Sequence, residues 1–322
     1  MVMAHCLVQR LTALSEHVEV HVAAPKATAP IAARMREVVK VHEADFVHGD
    51  LGLGARMALG KRLRLEQYQR AYVLPNSWKS ALVPWLARIP HRIGWQGEMR
   101  IGLLNDRRVL DEAAYPLMIE RFMALADDAG TLPEQPYPEP ALAADAENAQ
   151  RLIGELNLNA TLPVTVLCPG AEFGVAKKWP AARYAEVARA VLDAGGAVWI
   201  LGSPNDVADA DIVEAQAPGA VNLAGKTTLS DAIDLIAMAD QAVCNDSGLM
   251  HVACALQVPT IGVFGSTSAQ FTPPLGSRAR VVELDLECRP CFARICPLGH
   301  NNCLNTLPAS AVLEHLQPRV SA

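Results

Sequence analysis

The chain has 322 residues, of which 51% are hydrophobic and 19% are charged, and its net charge is -6 with a pI near 5.9. This size is sufficient for two domains with separate cores. The acidic balance argues against a general nucleic-acid-binding protein. The sequence has no run of 18 apolar residues and no signal-peptide pattern at its start, so it indicates a cytoplasmic protein without a membrane span.

The N-terminal half shows alternating strand and helix patterns. Residues 1–14 have the pattern of an amphipathic helix. Strands are predicted at 18–23 and 71–74, and helices around 31–41, 54–67 and 79–89. Domains of this architecture usually begin with a strand, so we predict a Rossmann-like domain over 1–140 whose first strand is missing.

A basic stretch lies within this half. Residues 61–108 contain ten Lys and Arg against three acids, a local charge of +7, so the remainder of the chain carries -13. Two interpretations stand side by side: a solvated face, or a surface that binds anions or faces a membrane.

The C-terminal half has the pattern of a doubly wound parallel sheet. Strands are predicted at 165–168, 197–201, 221–223, 241–245 and 260–264, with a helix over 181–194 and a capping box from Thr228 to Asp231. A proline-rich, acidic segment at 131–150 predicts a linker between the halves, with the boundary near 130–155. We therefore predict a second Rossmann-like domain over 155–322.

The sequence NDSGLMH at 245–251 follows a predicted strand and opens an apolar helix. Ligands of open α/β sheets bind at the carboxyl ends of strands, and a helix N-terminus favours a phosphate. Asp246 or Ser247 can cap the helix, Gly248 allows close backbone approach, and His251 lies in the first turn. The alternative is an ordinary N-cap followed by a packed core histidine.

A second loop, CPGAEFGVAKKWP at 168–180, also leaves a predicted strand and presents Lys177 and Lys178 before a helix. It matches neither a Walker loop nor the GxGxxG fingerprint, which argues against nucleotide hydrolysis and nicotinamide binding. Two solvated lysines are the simpler interpretation of this loop alone. Together with NDSG, it predicts a site for a phosphorylated ligand in a cleft between two domains.

These segments, with LPNSWKSALVP at 74–84, PHRIGWQGEMR at 90–100 and GLLNDRRVLDE at 102–112, resemble the lipopolysaccharide heptosyltransferases of glycosyltransferase family 9, most closely the heptosyltransferase II group. The resemblance covers nearly the whole chain. It implies a GT-B fold without a cofactor. It further implies inverting transfer of L-glycero-D-manno-heptose from ADP-heptose to the first heptose of the lipopolysaccharide inner core (Kdo-lipid A bearing heptose), at the inner face of the inner membrane.

The resemblance also implies roles for individual residues. The donor would be bound by residues of the two strand-end loops: Gly170, Glu172, Lys177, Asp246, Ser247, Gly248 and His251. Asn76, Ser77 and Lys79 would contact the acceptor, and the alternative for these three is a capped helix start with Pro75 before it. The general base of the family is an aspartate that would directly precede Met1, so we expect the natural protein to be longer than this chain.

Four cysteines cluster near the C-terminus with the spacing C-x2-C-x4-C-x6-C: Cys288, Cys291, Cys296 and Cys303. The first pair has the spacing of a zinc knuckle, but the later cysteines follow no standard zinc pattern. The sequence therefore leaves open a structural metal site or free, reversibly oxidised thiols, and we expect no catalytic metal.

Three functional classes follow from the sequence. The first is the heptosyltransferase described above, with a heptosyltransferase I type of acceptor specificity as a near neighbour. The second is a catalytically impaired protein that binds nucleotide sugars but lacks the general base. The third is a GT-B enzyme that uses another donor, such as a UDP-sugar.

Overall fold

The computed structural model describes residues 1–46 and 51–316. The chain divides into two compact units, one spanning residues 3–138 and the other starting at Glu139. A helix begins at Ala146, inside the segment predicted as a linker, because the Asp145 carboxylate caps it by accepting from the backbone N–H groups of Glu147 and Asn148.

In the first unit, the described residues form two small parallel sheets. Its strands are β1 (Val20–Pro25), β2 (Val38–Ala44), β3 (Arg70–Tyr72), β4 (His91–Trp95) and β5 (Asp106–Arg108). Its helices are α1 (His5–Leu14), α2 (Ala29–Ala33), α3 (Leu53–Leu65), α4 (Trp78–Leu86) and α5 (Met118–Met123). Strand β1 pairs with β2, and the second sheet has the order β3-β4-β5. The predicted helix at the start of the chain is confirmed.

The predicted helix over 31–41 is wrong after Ala33. Helix α2 ends at Ala33, and Val38–Ala44 forms a strand parallel to β1. The segment is rich in β-branched valines, which fit a pleated strand better than a helix. The alternation appears at its end, where His42 and Ala44 are buried and Glu43 is exposed. Pairing with β1 therefore overrides the helical spacing of the apolar residues.

The second unit is built on one parallel sheet of six strands. The strands are β6 (Val164–Cys168), β7 (Ala197–Ile200), β8 (Val221–Asn222), β9 (Gln241–Asn245), β10 (Thr260–Phe264) and β11 (Ala279–Glu283). The helices are α6 (Ala146–Glu155), α7 (Ala181–Asp193), α8 (Val207–Gln216), α9 (Leu229–Ala237), α10 (Gly248–Ala255), α11 (Asn302–Asn305) and α12 (Ser310–Leu313). Five strands and the Thr228 capping box agree with the prediction, whereas β11 was not predicted.

The strand order β11-β10-β9-β6-β7-β8 places the point of reversal between β6 and β9. The chain runs outwards from β6 to β8, returns to β9 beside β6, and then runs outwards in the opposite direction. These two central strands are wholly apolar at their buried centres: Val166, Leu167 and Val243 have no exposed surface. Burial of each such side chain contributes about 1.5–3 kcal/mol. The most firmly held part of the sheet thus carries the loops on either side of the reversal.

No helix within 1–46 and 51–316 is both long enough and apolar enough to cross a membrane.

Candidate functional site

The candidate site of the second unit lies at the carboxyl ends of three neighbouring strands. The loop after β6 contains Gly170 to Lys178, the loop after β9 contains Asp246 and Ser247, and the loop after β10 contains Ser266 and Thr267. Strands β6 and β9 flank the reversal of strand order, which is where ligands of open α/β sheets bind. Both loops singled out in the sequence therefore belong to one site.

Lys177 and Asp246 join two of these loops. The Nζ of Lys177 lies 2.6 Å from the Oδ2 of Asp246, and the hydroxyl of Thr267 donates to the same oxygen at 2.6 Å. The two ionic side chains are only 12% and 4% exposed, so their attraction is stronger than that of a surface pair. The ammonium has three protons, and so it can hold Asp246 and still donate to a phosphate.

Lys178 points to a different set of carboxylates. Its Nζ lies 2.7 Å from Asp209 and 3.4 Å from Asp206, next to the start of α8. Neither lysine of the pair is a freely solvated charge, so that simpler interpretation of the loop is wrong. Of the two, only Lys177 joins the loop after β9.

Asn245 is a site-forming residue that the sequence patterns did not single out. Its Oδ1 accepts from the backbone N–H of Trp179 at 3.1 Å and from the hydroxyl of Tyr184 at 3.0 Å, and its Nδ2 donates to the carbonyl of Pro169 at 2.6 Å. One buried amide thereby holds both ends of the lysine loop against the end of β9. The sequence did contain a signal for this role, because Asn245 is a polar residue at the end of a strand with an apolar centre.

Gly170 and Glu172 lie beside the buried Asp206. A side chain at Gly170 would overlap the Asp206 carboxylate, so this position has room only for glycine. Glu172 is exposed, and its Oε1 lies 3.0 Å from the hydroxyl of Ser203, whose one proton can go to Glu172 or to Asp206. The loop therefore packs closely at Gly170 and presents a carboxylate to solvent at Glu172.

The start of α10 differs from expectation. Ser247 occupies the N-cap position, but its side chain makes no capping hydrogen bond. The carboxylate of Asp246 is occupied by Lys177 and Thr267 instead, so the predicted side-chain cap is wrong. A Cβ at Gly248 would meet nothing within 4 Å, so the backbone of the first turn borders open space. This helix N-terminus is suited to an anion, because its N–H groups carry partial positive charge.

His251 lies one turn into α10 and is largely buried. Burial lowers its pKa to about 4, against the opposing effect of the negative charge of Asp246. It is therefore neutral at pH 7 and adds no charge to the site. Its Nδ1 is buried and, among the residues that the structure describes, has no hydrogen-bond partner. A buried nitrogen without a hydrogen-bond partner favours a ligand contact over the packed-core interpretation of His251.

The pKa of His251 predicts how stability depends on pH. The unfolded chain takes up a proton at this residue below about pH 6.5, whereas the folded chain does so only near pH 4. The contribution of His251 to stability should therefore be constant above about pH 6.5 and fall by up to about 3 kcal/mol as the pH drops to about 4. Urea unfolding across this range should give a flatter dependence for His251→Gln. The exposed control His315→Gln should keep the parent slope, and an unchanged slope in His251→Gln would contradict the assignment.

The three candidate acceptor residues lie at the start of α4 in the first unit. Asn76 is exposed, while Ser77 and Lys79 are half-buried. The backbone of Asn76 is held by the N–H of Glu98 at 3.1 Å, and the carboxylate of Glu98 accepts from the N–H of Trp78 at 3.0 Å. Ser77, at the N-cap position of α4, makes no side-chain capping hydrogen bond, so Glu98 and not a helix cap fixes this segment.

Arg100 also holds the segment that contains Asn76 in place. The sequence patterns did not identify this role. The side chain of Arg100 is fully buried and donates to the carbonyls of Pro75 and Trp95 and to the side-chain oxygen of Asn76. Arg108 lies in β5, the edge strand of the sheet β3-β4-β5. It is buried and donates to the carbonyls of Ala124 and Asp127. The basic stretch is therefore not one solvated face, since part of it stabilises the unit from within.

Comparison with known proteins agrees with this architecture. The model of the family "Glycosyltransferase family 9 (heptosyltransferase)" matches residues 56–301. The chain belongs to glycosyltransferase family 9. It is 45% identical over 294 residues to lipopolysaccharide heptosyltransferase 2 of Escherichia coli strain K12, covering 88% of this chain and 84% of that protein.

Two further relatives cover almost the entire family 9 chain. Lipopolysaccharide heptosyltransferase 2 of Salmonella typhimurium strain LT2 is 41% identical over 331 residues, covering 100% of this chain and 95% of that protein. The solved structure of E. coli ADP-heptose lps heptosyltransferase II is 41% identical with a TM-score of 0.83, covering 98% of this chain and 96% of that one. The predicted glycosyltransferase family and the α/β fold of GT-B type are thereby confirmed.

Proposed function

We propose that this family 9 glycosyltransferase moves L-glycero-D-manno-heptose from ADP-heptose to the first heptose of the lipopolysaccharide inner core, with inversion at the transferred carbon. The supporting observation is the junction of Lys177, Asp246 and Thr267 at the point where the strand order reverses. We choose ADP-heptose as the donor and lipopolysaccharide as the acceptor because the names of the relatives reported above contain them.

In this proposal the second unit holds the donor. Lys177 and the N–H groups at the start of α10 contact the diphosphate, with Ser247 and Gly248 in the first turn. Asp246 orients Lys177 and bonds sugar hydroxyls, and Gly170, Glu172 and His251 complete the donor contacts. As the bond from heptose to ADP breaks, negative charge grows on the leaving phosphate. A positive side chain and fixed N–H groups in a partly buried site stabilise that charge.

The first unit is proposed to hold the acceptor. Asn76, Ser77 and Lys79 can hydrogen-bond sugar hydroxyls and anionic groups of the inner core. The buried Arg100 and the Glu98 carboxylate keep this segment in place before the acceptor arrives. Binding to a segment that is already ordered costs less conformational entropy.

We also propose that the enzyme works at the cytoplasmic face of the inner membrane. Leu53 and Met57 of α3 and Trp85 of α4 are 49%, 42% and 48% exposed, and Lys61, one turn after Met57, is exposed as well. Exposed apolar side chains next to basic ones suit an anionic lipid surface. Co-sedimentation with anionic vesicles tests this contact.

The function is tested by supplying ADP-heptose together with inner-core acceptors that carry or lack the first heptose. Product formed only on the acceptor that carries it supports the proposal. Transfer to the acceptor that lacks it would instead indicate heptosyltransferase I specificity. A panel of UDP-sugars in the same assay separates a different donor from ADP-heptose, and donor binding without product under every condition would indicate a nucleotide-sugar-binding protein.

Gly248→Ala should weaken donor binding without weakening the fold. The added methyl group meets no protein atom within 4 Å, but it would project where the diphosphate approaches the helix. A steric conflict of about 1–3 kcal/mol corresponds to a Kd for ADP-heptose raised roughly 10- to 100-fold. Calorimetric titration measures the Kd. Gly154→Ala, in α6 with equally open surroundings, is the matched control and should bind like the parent. Equal binding by both variants would place the diphosphate elsewhere.

A further inference from the structure

Four cysteines surround one cavity in the segment that follows β11. Cys288, Cys291, Cys296 and Cys303 all line this cavity, whose volume is about 20 Å³. That is room for little more than one water-sized sphere. The four remaining cysteines are buried elsewhere in the chain, as expected for packed thiols. The four clustered cysteines thus differ from the other four because they share a cavity.

The sulfur of Cys296 lies in a setting that favours its thiolate. The backbone N–H of Asn301 donates to it at 3.4 Å. Backbone N–H groups that point at sulfur stabilise the charged form, which is the form that binds metals.

Cys303 is buried and lies across the same cavity. Arg289 lines this cavity as well. The guanidinium of Arg289 is engaged by the carbonyls of Gly265, Leu284 and Thr267 and by the carboxylate of Glu283. Four thiolates around one cavity would repel one another, and a cation within the cavity would offset that repulsion.

The thiols do not yet converge on one point. Within the described ranges 1–46 and 51–316, no group of three or more His, Cys, Asp or Glu side chains stands ready to hold a metal ion. Cys288 and Cys291 are exposed and Cys296 is half-buried, so their side chains can change rotamer towards the buried Cys303 without repacking a core. Rotation of surface thiols is therefore the change that a four-sulfur site requires.

We propose that Cys288, Cys291, Cys296 and Cys303 bind one thiophilic transition-metal ion, zinc or iron, as a structural site. Four sulfur ligands in a tetrahedral arrangement are typical of both metals. Binding forms four metal–sulfur bonds and releases to solvent the proton of each cysteine that is still a thiol. Metal binding by these cysteines does not depend on which substrate the enzyme uses.

The segment that carries these cysteines also touches the donor loops. The N–H of Ala176 donates to the carbonyl of Arg294 at 3.1 Å, and the N–H of Phe292 donates to the carbonyl of Ser266 at 2.7 Å. The guanidinium of Arg294 lies over the ring of Phe173. A metal that orders this segment would therefore stabilise the loop of Lys177 and the loop of Thr267.

The test is metal analysis of the full chain purified under reducing conditions without chelator. We expect about one equivalent of zinc or iron, and about one equivalent of Co²⁺ after exchange, with the thiolate-to-metal charge-transfer absorption of a sulfur site. Cys291→Ser, at an exposed position where the fold does not depend on the side chain, should lose most of the metal. Cys254→Ala, which removes a buried thiol outside the cluster, should retain it.

Two results would overturn the proposal. One is reduced protein with well under one equivalent of metal that also takes up no added zinc. The other is a disulfide within the cluster in protein isolated from cells, with no metal bound after reduction and zinc addition. Neither result bears on heptosyl transfer, which the acceptor assay measures separately.

Discussion

Lys177→Met is expected to lower kcat/KM for heptosyl transfer by about 10²- to 10³-fold, the usual loss when one charge-stabilising donor is removed from an active site. Lys177 is the cation bound to Asp246 at the start of α10. Its removal takes away the positive charge proposed to face the leaving diphosphate. It also leaves the nearly buried carboxylate of Asp246 without its counter-ion. Initial rates, together with a separate Kd for ADP-heptose, measure the two consequences.

Lys178→Met provides the matched control, because it removes the same charge one residue further along. Lys178 pairs with Asp206 and Asp209, and breaking such a partly exposed pair costs only about 1 kcal/mol of stability. We expect its kcat/KM to stay within about tenfold of the parent value. Equal losses in the two variants would show that the overall charge of the loop matters and not the junction between Lys177 and Asp246.

Asn245→Ala should produce the largest loss of stability among single substitutions at this site. The change leaves the N–H of Trp179 and the carbonyl of Pro169 without this partner in a fully buried place. The hydroxyl of Tyr184 loses its 3.0 Å contact with Asn245 and keeps the carbonyl of Cys168, at 3.4 Å, as its acceptor. Each unsatisfied buried group costs about 1–3 kcal/mol, and we expect the free energy of unfolding to fall by about 3–5 kcal/mol in total. Urea unfolding of the purified protein measures it.

Two companion variants make the Asn245 result specific. Tyr184→Phe removes the hydroxyl that donates to Asn245 and that also lies 3.4 Å from the carbonyl of Cys168, and it should cost about 1 kcal/mol. Asn159→Ala changes an exposed asparagine in a surface turn and should cost less than about 1 kcal/mol. If Asn245→Ala loses no more than Asn159→Ala, the amide does not hold the lysine loop to the end of β9.

The sequence predicted the second unit well, because its local signals agree with one another. Strands 241–245 and 260–264 have the predicted bounds, and α7 begins at the predicted Ala181 after a proline. Apolar strands, proline at the helix start and glycine after its end all point to the same structure there. In the first unit the signals conflict, and the helix predicted over 31–41 became a short helix and a strand.

The site shows the same division between local and tertiary information. The polar residues after β6 and β9 were identified from sequence, because strand ends, glycines and helix starts are local patterns. Their pairing was not, because Lys177 and Asp246 are 69 positions apart in the sequence and meet only where the strand order reverses. The missing cap of α10 has the same cause, since the ion pair and Thr267 occupy the carboxylate that would otherwise be free to cap the helix.

The amino-acid sequence alone determined the α/β class, the family and the loops that carry the chemistry, since each of these depends on residue types at short spacing. Only the tertiary structure decided which lysine reaches Asp246, that Asn245 and Arg100 hold the candidate segments in place, and that four cysteines share one cavity. The contacts of Lys177 and Asn245 join residues distant in the chain, and they are set by the order in which parallel strands lie side by side. The cysteines are close in sequence, and they share a cavity because of how the segment after β11 folds.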